Sequence, residues 1–138
     1  MEKIKVLLGW SGQNYSACTE DYDLLCGVVI ATGKTYNDLK RNFESALEFH
    51  IEGCLNGGDK LPDWLVNGEY EIAYNHTVAA LLHSLDGILT RSAISRATGI
   101  NQKQIGHYAS GVRNPRPEKR RQIVEGIHQI SRELASVM

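Results

Sequence analysis

At Asn75-His76-Thr77 the spacing of apolar residues changes from every second position to every third or fourth. The first pattern belongs to strands with one buried face, the second to helices with one buried face. From that point on no strand pattern returns, so a sheet-bearing part is followed by a helical part. The predicted fold class is therefore α+β, with domains over residues 1–75 and 76–138. Two such small domains each bury a modest core, so self-association would help to stabilise them.

The charges divide at the same place. The net charge of −1 averages a first part with 6 Lys/Arg against 12 Asp/Glu and a second with 9 against 4. A basic half beside an acidic one points to a nucleic-acid partner for the basic half. Phosphate repels the acidic half, which must face elsewhere. The three cysteines, Cys18, Cys26 and Cys54, form no C-x-x-C pair and are odd in number. They read as buried free thiols of a reducing, cytoplasmic protein rather than a disulfide or zinc framework. No stretch approaches the roughly 20 apolar residues that span a bilayer, and the apolar run in Met1 to Leu8 is too short for a signal peptide, so none is expected.

In the first part, Ile4, Val6 and Leu8 alternate with Lys3 and Lys5 as a first strand. Tyr15 to Thr19 is a second, and the apolar run Gly27 to Thr32 reads as a third, central one. Thr35 caps a helix, with Asp38 in a capping-box-like position. Leu39, Phe43, Leu47, Ile51 and Cys54 form its apolar face, and Asn56-Gly57-Gly58 ends it. Leu61 to Trp64 reads as loop, and Gly68 to Tyr74 as a fourth strand. The order is β-β-β-α-β.

The second part reads as helices throughout. Its centre is the stretch Leu89 to Tyr108. Thr90 caps one short helix, Arg91 to Thr98, and Asn101 caps the next, Gln102 to Ser110. Gly99-Ile100 makes a turn of the length that joins two steeply crossing helices. Ile94, Ile100 and Ile105 form the wedge between them, and the small Ser95 and Gly106 let them approach. In such a pair the second helix enters the major groove with its first residues against base edges. Those residues are Gln102, Lys103 and Gln104, whose amides suit adenine and whose ammonium suits guanine. Arg91, Asn101, His107, Arg113 and Arg116 flank them as candidates for phosphate contact. The run Lys119-Arg120-Arg121 reads as solvated surface. A final helix from near Glu118 carries Ile123, Ile127, Ile130, Leu134 and Val137 in a heptad-like row. That row suits core packing or a dimer seam.

This stretch resembles the lambda-repressor-like (Cro and cI type) helix-turn-helix family over about residues 76–135, with Gly111, Arg113 and Pro115 closing the reading helix. The resemblance implies that Arg91 starts the second helix at a phosphate, where Gln is the common residue, and that Gln102 and Lys103 read bases. It also implies a homodimer or higher even oligomer on double-stranded operator DNA.

Catalytic signals in the first part fail on spacing. Gly33-Lys34-Thr35 ends like a phosphate loop, but five residues separate Gly27 from Gly33 where four are needed. His76 and His83 lack a third ligand, so neither metal nor cofactor is expected. The first strand holds no carboxylate between Lys3 and Trp10, so no nuclease-type catalytic site is expected. The acids Glu20, Asp21 and Asp23 cluster instead in a loop, where they suit a partner-facing surface.

Tyr15-Ser16-Ala17, the run Gly33 to Leu39, the helix end Ala46 to Glu52 and Pro62 together resemble the HicB antitoxin domain, a partial ribonuclease-H-like fold, over about residues 3–75. That family's Pro-Asp-Leu-Pro-Gly-Cys segment is reduced here to Tyr22 to Gly27. The resemblance implies a non-catalytic antitoxin. Its first domain would block a small basic mRNA-cleaving toxin (HicA), and its second would repress the shared operon. The acidity of the first part fits a basic partner by complementarity. The alternative is a transcriptional regulator whose first domain senses a small ligand, for which an apolar pocket between sheet and helix would speak.

Overall fold

The computed structural model describes residues 1–138 and is of mixed α+β composition, with one four-stranded sheet and six helices. It divides into two compact units, Met1–Thr77 and Val78–Met138.

In the first unit, β1 (Glu2–Trp10) pairs antiparallel with β2 (Tyr15–Thr19), and β2 pairs antiparallel with β3 (Ile30–Gly33). The long helix α1 (Tyr36–Asn56) and the single turn α2 (Asp63–Val66) follow. Then β4 (Tyr70–His76) returns parallel to β1, giving the order β3-β2-β1-β4. The alternation in β1 sends Ile4, Val6 and Leu8 to one face, where they are fully buried beside Tyr15 and Ala17. Leu39, Phe43 and Leu47, one helical turn apart, close the core from α1. Thr35 caps α1 by accepting a hydrogen bond from the Asp38 amide at 3.0 Å. The Asp38 carboxylate pairs with Arg41, so only half of the expected capping box forms.

Three expectations for this unit are corrected. The third strand is neither central nor as early as Gly27. It begins at Ile30 and lies at the sheet edge, with Val28 and Ile30 exposed. The late start has a local cause: Cys26 and Gly27 have φ of 51° and 141°, values that a strand residue does not take. The segment read as loop contains α2, which plants Leu65 in the core. Of the three thiols, Cys54 is buried, Cys18 is half-buried and Cys26 is exposed.

Tyr74 of β4 is half-buried, and its hydroxyl is enclosed without a hydrogen-bond partner. Burial first, then Glu44 and Tyr36, pushes this phenol up to about 12. In the unfolded chain it titrates near 10. Between these values the folded state holds the proton more tightly, so stability is present below pH ~10 and is lost as pH rises toward ~12. Urea unfolding of Tyr74→Phe against the parent is expected to show a shallower loss across that window. Parallel pH profiles would remove the assignment.

In the second unit, α3 (Val78–Ser84), α4 (Arg91–Thr98), α5 (Gln102–Ser110) and α6 (Pro117–Ala135) surround one small core. Val78, Leu82, Ile94, Ile100, Ile105, Tyr108, Ala109 and Ile123 make it up. The apolar row of α6 divides. Ile123 is fully buried and Ile127 packs on the core, whereas Ile130 is half-buried, Leu134 is exposed and Val137 lies exposed beyond the helix end.

Candidate nucleic-acid interface

The local chemistry of the second unit builds a capped, glycine-turned helix pair. Thr90 Oγ1 accepts from the Ala93 amide at 3.0 Å and starts α4. Gly99 ends it with φ 76°, a left-handed value that costs a side-chain-bearing residue on the order of 1 kcal/mol. Ser95 Oγ donates to the Ile100 carbonyl at 2.6 Å across the turn. Asn101 then accepts from the Lys103 amide at 2.8 Å and starts α5. Gly111, at φ 80°, ends α5.

Thr98 is the buried polar residue that locks this turn, and sequence reasoning missed it. Its hydroxyl donates to the Ile94 carbonyl at 2.7 Å and accepts from the Ile100 amide at 3.2 Å. Its own carbonyl accepts from Gln122 of α6 at 2.5 Å. The role expected of Gly106 is also corrected. A methyl group at Gly106 would meet nothing within 4 Å, so this glycine does not bring α4 and α5 together. The close approach is at Gly126, where a Cβ would stand 2.4 Å from Thr98 Cγ2. The tight crossing is thus between α4 and α6. Thr98 at a helix end and Gly126 inside a helix were the available signals, but only the fold shows that they meet.

The candidate reading residues have different settings. Asn101, Gln102 and Lys103 are exposed together at the start of α5. Gln104 is half-buried, and its amide donates to the Tyr108 hydroxyl at 2.7 Å, so it is less free to reach a base. His107 is half-buried, and its carbonyl accepts from Ser110 Oγ at 3.1 Å. Arg91 is half-buried at the first position of α4, and Arg113 and Arg116 are exposed between α5 and α6. Exposed amides at a helix start, next to a lysine and followed by arginines, can donate to base edges and to phosphate oxygens. Beneath them Ile105 is fully buried, so the helix that carries them is anchored.

In the first unit, Glu20, Asp21 and Asp23 line a hollow of about 430 Å³ with Lys3 and Lys5. Glu20 accepts from the Asn75 amide at 3.0 Å, and Asp21 from the Leu24 backbone amide at 3.0 Å. Two of the three acids are therefore engaged locally, and lysines offset their charge. No three His, Cys, Asp or Glu side chains converge as a metal site requires, and His76 and His83 fall in different units. No helix is long and apolar enough to cross a membrane. Comparison of the chain with protein-family models, with curated proteins and with solved structures finds no match in any of the three.

Proposed function

We propose that the chain is an autoregulatory antitoxin of the HicB kind, acting in the cytoplasm and without catalysis of its own. Val78–Met138 is then a helix-turn-helix unit of the phage-repressor type on double-stranded operator DNA. Met1–Thr77 is a partial ribonuclease-H-like unit that binds a small basic toxin. One observation carries the DNA-binding part. The start of α5 presents Asn101, Gln102 and Lys103 to solvent, from a helix fixed by a left-handed glycine turn and a buried isoleucine wedge. Under α1 itself Leu39, Phe43 and Leu47 are fully buried and leave no enclosed cavity against the strands it covers, and the hollows beside it toward β4 are open grooves rather than the closed pocket a small-ligand sensor would need. That favours a protein partner for the first unit over a small ligand.

DNA binding is tested by fluorescence anisotropy with duplexes tiled across the chain's own promoter. Two-fold binding predicts half-sites about 34–36 Å apart. Lys103→Ala is expected to weaken the specific duplex by about 1–3 kcal/mol and to relax the sequence preference. Arg113→Ala is expected to weaken every duplex alike and to lower the salt slope by about 1. Unchanged affinity in both variants, with both folded, would end the DNA-binding reading.

A further inference from the structure

A helix is about 10 Å wide with its side chains and neighbouring strands are about 4.8 Å apart, so one helix covers about two strands. Here α1 follows β3 directly and lies over β3 and β2. The same face of β4 has no long helix of its own, and Tyr70, Ile72 and Tyr74 are only half-buried there. Between α1 and β4 a trough remains. It consists of two hollows of about 360 and 330 Å³ that share Glu48, Gly68 and Tyr70. Its floor is apolar, with Ile51, Leu65 and Ile72, and Leu55 and Val66 stand 42% exposed at one end.

One wall of the trough is acidic. Glu44, Glu48 and Glu52 recur every fourth residue along α1 and so share one stripe. None has a cation within ion-pairing distance, since the ion pairs of the chain are Arg41–Asp38 and His83–Asp86. Lys40, one turn before Glu44, is turned onto the Tyr36 ring at 4.5 Å. The negative field reaches into the trough. After burial, Glu48 and Glu44 raise the Tyr70 phenol, and Glu44 adds to the rise of Tyr74. Tyr74 also lines the trough, with its hydroxyl enclosed beneath the surface.

We propose that this trough is the docking site for a basic amphipathic helix of a protein partner. The proposal rests on the reading of the first unit as a partner-binding unit. Glutamates four residues apart repeat about every 6 Å along α1, and lysines or arginines four apart on a partner helix repeat at the same distance. The apolar stripe of that helix meets Ile72, Leu55 and Val66 while its cations face the glutamates. The occupant takes the place of a second helix on the sheet. The excess of 12 acidic over 6 basic residues up to Asn75 disfavours a like-charged copy of this unit in the same place.

The test uses the full chain and a fluorescein-labelled 14-residue Leu/Lys amphipathic helix, with a Leu/Glu peptide of the same pattern as control. Binding is followed by anisotropy and mapped by amide chemical shifts. The Leu/Lys peptide is expected to bind, and its shifts to centre on Glu44–Glu52 and Tyr70–Tyr74. The triple change Glu44→Gln, Glu48→Gln, Glu52→Gln is expected to weaken it about tenfold, the combined effect of three exposed ion pairs. Neutralising Glu20, Asp21 and Asp23 is expected to leave it unchanged. Equal affinity in the glutamate variant, or shifts centred on the Glu20–Asp23 loop, would overturn the trough and leave a partner-binding first unit standing. No binding anywhere on the first unit would overturn both. Self-association that protects the trough in place of peptide binding would give the site to a second copy and overturn the proposal.

Discussion

Gly33→Ala is expected to cost the first unit about 3 kcal/mol, the upper end of what overpacking usually costs. A Cβ at Gly33 would stand 2.4 Å from Leu39 N and 2.7 Å from Leu39 Cα. These are backbone atoms in the first turn of α1, so no side chain can swing away to make room. The turn is held from both ends: the Leu39 amide donates to the Thr35 carbonyl at 3.0 Å, and Asn42 donates to the Thr32 carbonyl at 2.8 Å. Relief requires lifting α1 from the edge strand, and that movement would drag Leu39 and Phe43 out of the core. Both tryptophans, Trp10 and Trp64, lie in this unit, so their emission during urea unfolding reports the loss directly. Gly53→Ala is the control. A Cβ there meets nothing within 4 Å, and the higher helix propensity of alanine is expected to add up to about 1 kcal/mol. A Gly33→Ala midpoint equal to the parent's would show that the strand–helix approach is not tight.

The same glycine shows what a motif can and cannot say. Gly33-Lys34-Thr35 has the ending of a phosphate loop, and spacing alone argued against that reading. The structure gives the three residues plain duties. Gly33 admits the helix backbone, Thr35 caps the helix, and Lys34 is exposed.

What was legible elsewhere follows the range of the forces involved. The bounds of α4 and α5, Arg91–Thr98 and Gln102–Ser110, could be read because caps, left-handed glycines and apolar spacing all act within a few residues. The place of β3 could not, because an apolar run looks the same at a sheet's centre and at its edge, and the left-handed backbone at Cys26 is not written in its side chain. The choice between Gly106 and Gly126 as the point of close approach depends on a contact across 28 residues, from Thr98 to Gly126. The acids divide similarly. Glu20, Asp21 and Asp23 drew notice as a sequence cluster, although Lys3 and Lys5 lie beside them. Glu44, Glu48 and Glu52 stand four residues apart in the sequence, but the trough they border depends on β4 joining the sheet at the edge opposite β3, over which α1 lies.

Ile105→Ala is expected to cost the second unit 2–5 kcal/mol, the usual range for emptying a fully buried isoleucine site. Residues 78–138 form a small unit, and at 0.05–0.15 kcal/mol per residue its whole stability is about 3–9 kcal/mol. The substitution thus removes a large share of what holds the unit folded. Ile105 lies on the inner side of α5, in one cluster with Ile94, Ile100, Tyr108 and Ile123, so the helix that carries Gln102 and Lys103 loses its anchor first. In urea, the helical circular dichroism should show an early transition while the emission of Trp10 and Trp64 keeps its parental midpoint. Duplex binding should fall further than in Lys103→Ala, because the whole surface is lost rather than one contact. Ile105→Leu, which keeps the volume, is expected to cost less than about 1.5 kcal/mol and to keep most of the affinity. If both optical signals shift together in Ile105→Ala, the two units unfold as one body, and the division at Thr77–Val78 has no thermodynamic meaning. If the dichroism does not shift at all, the isoleucine wedge does not hold the candidate reading helix in place.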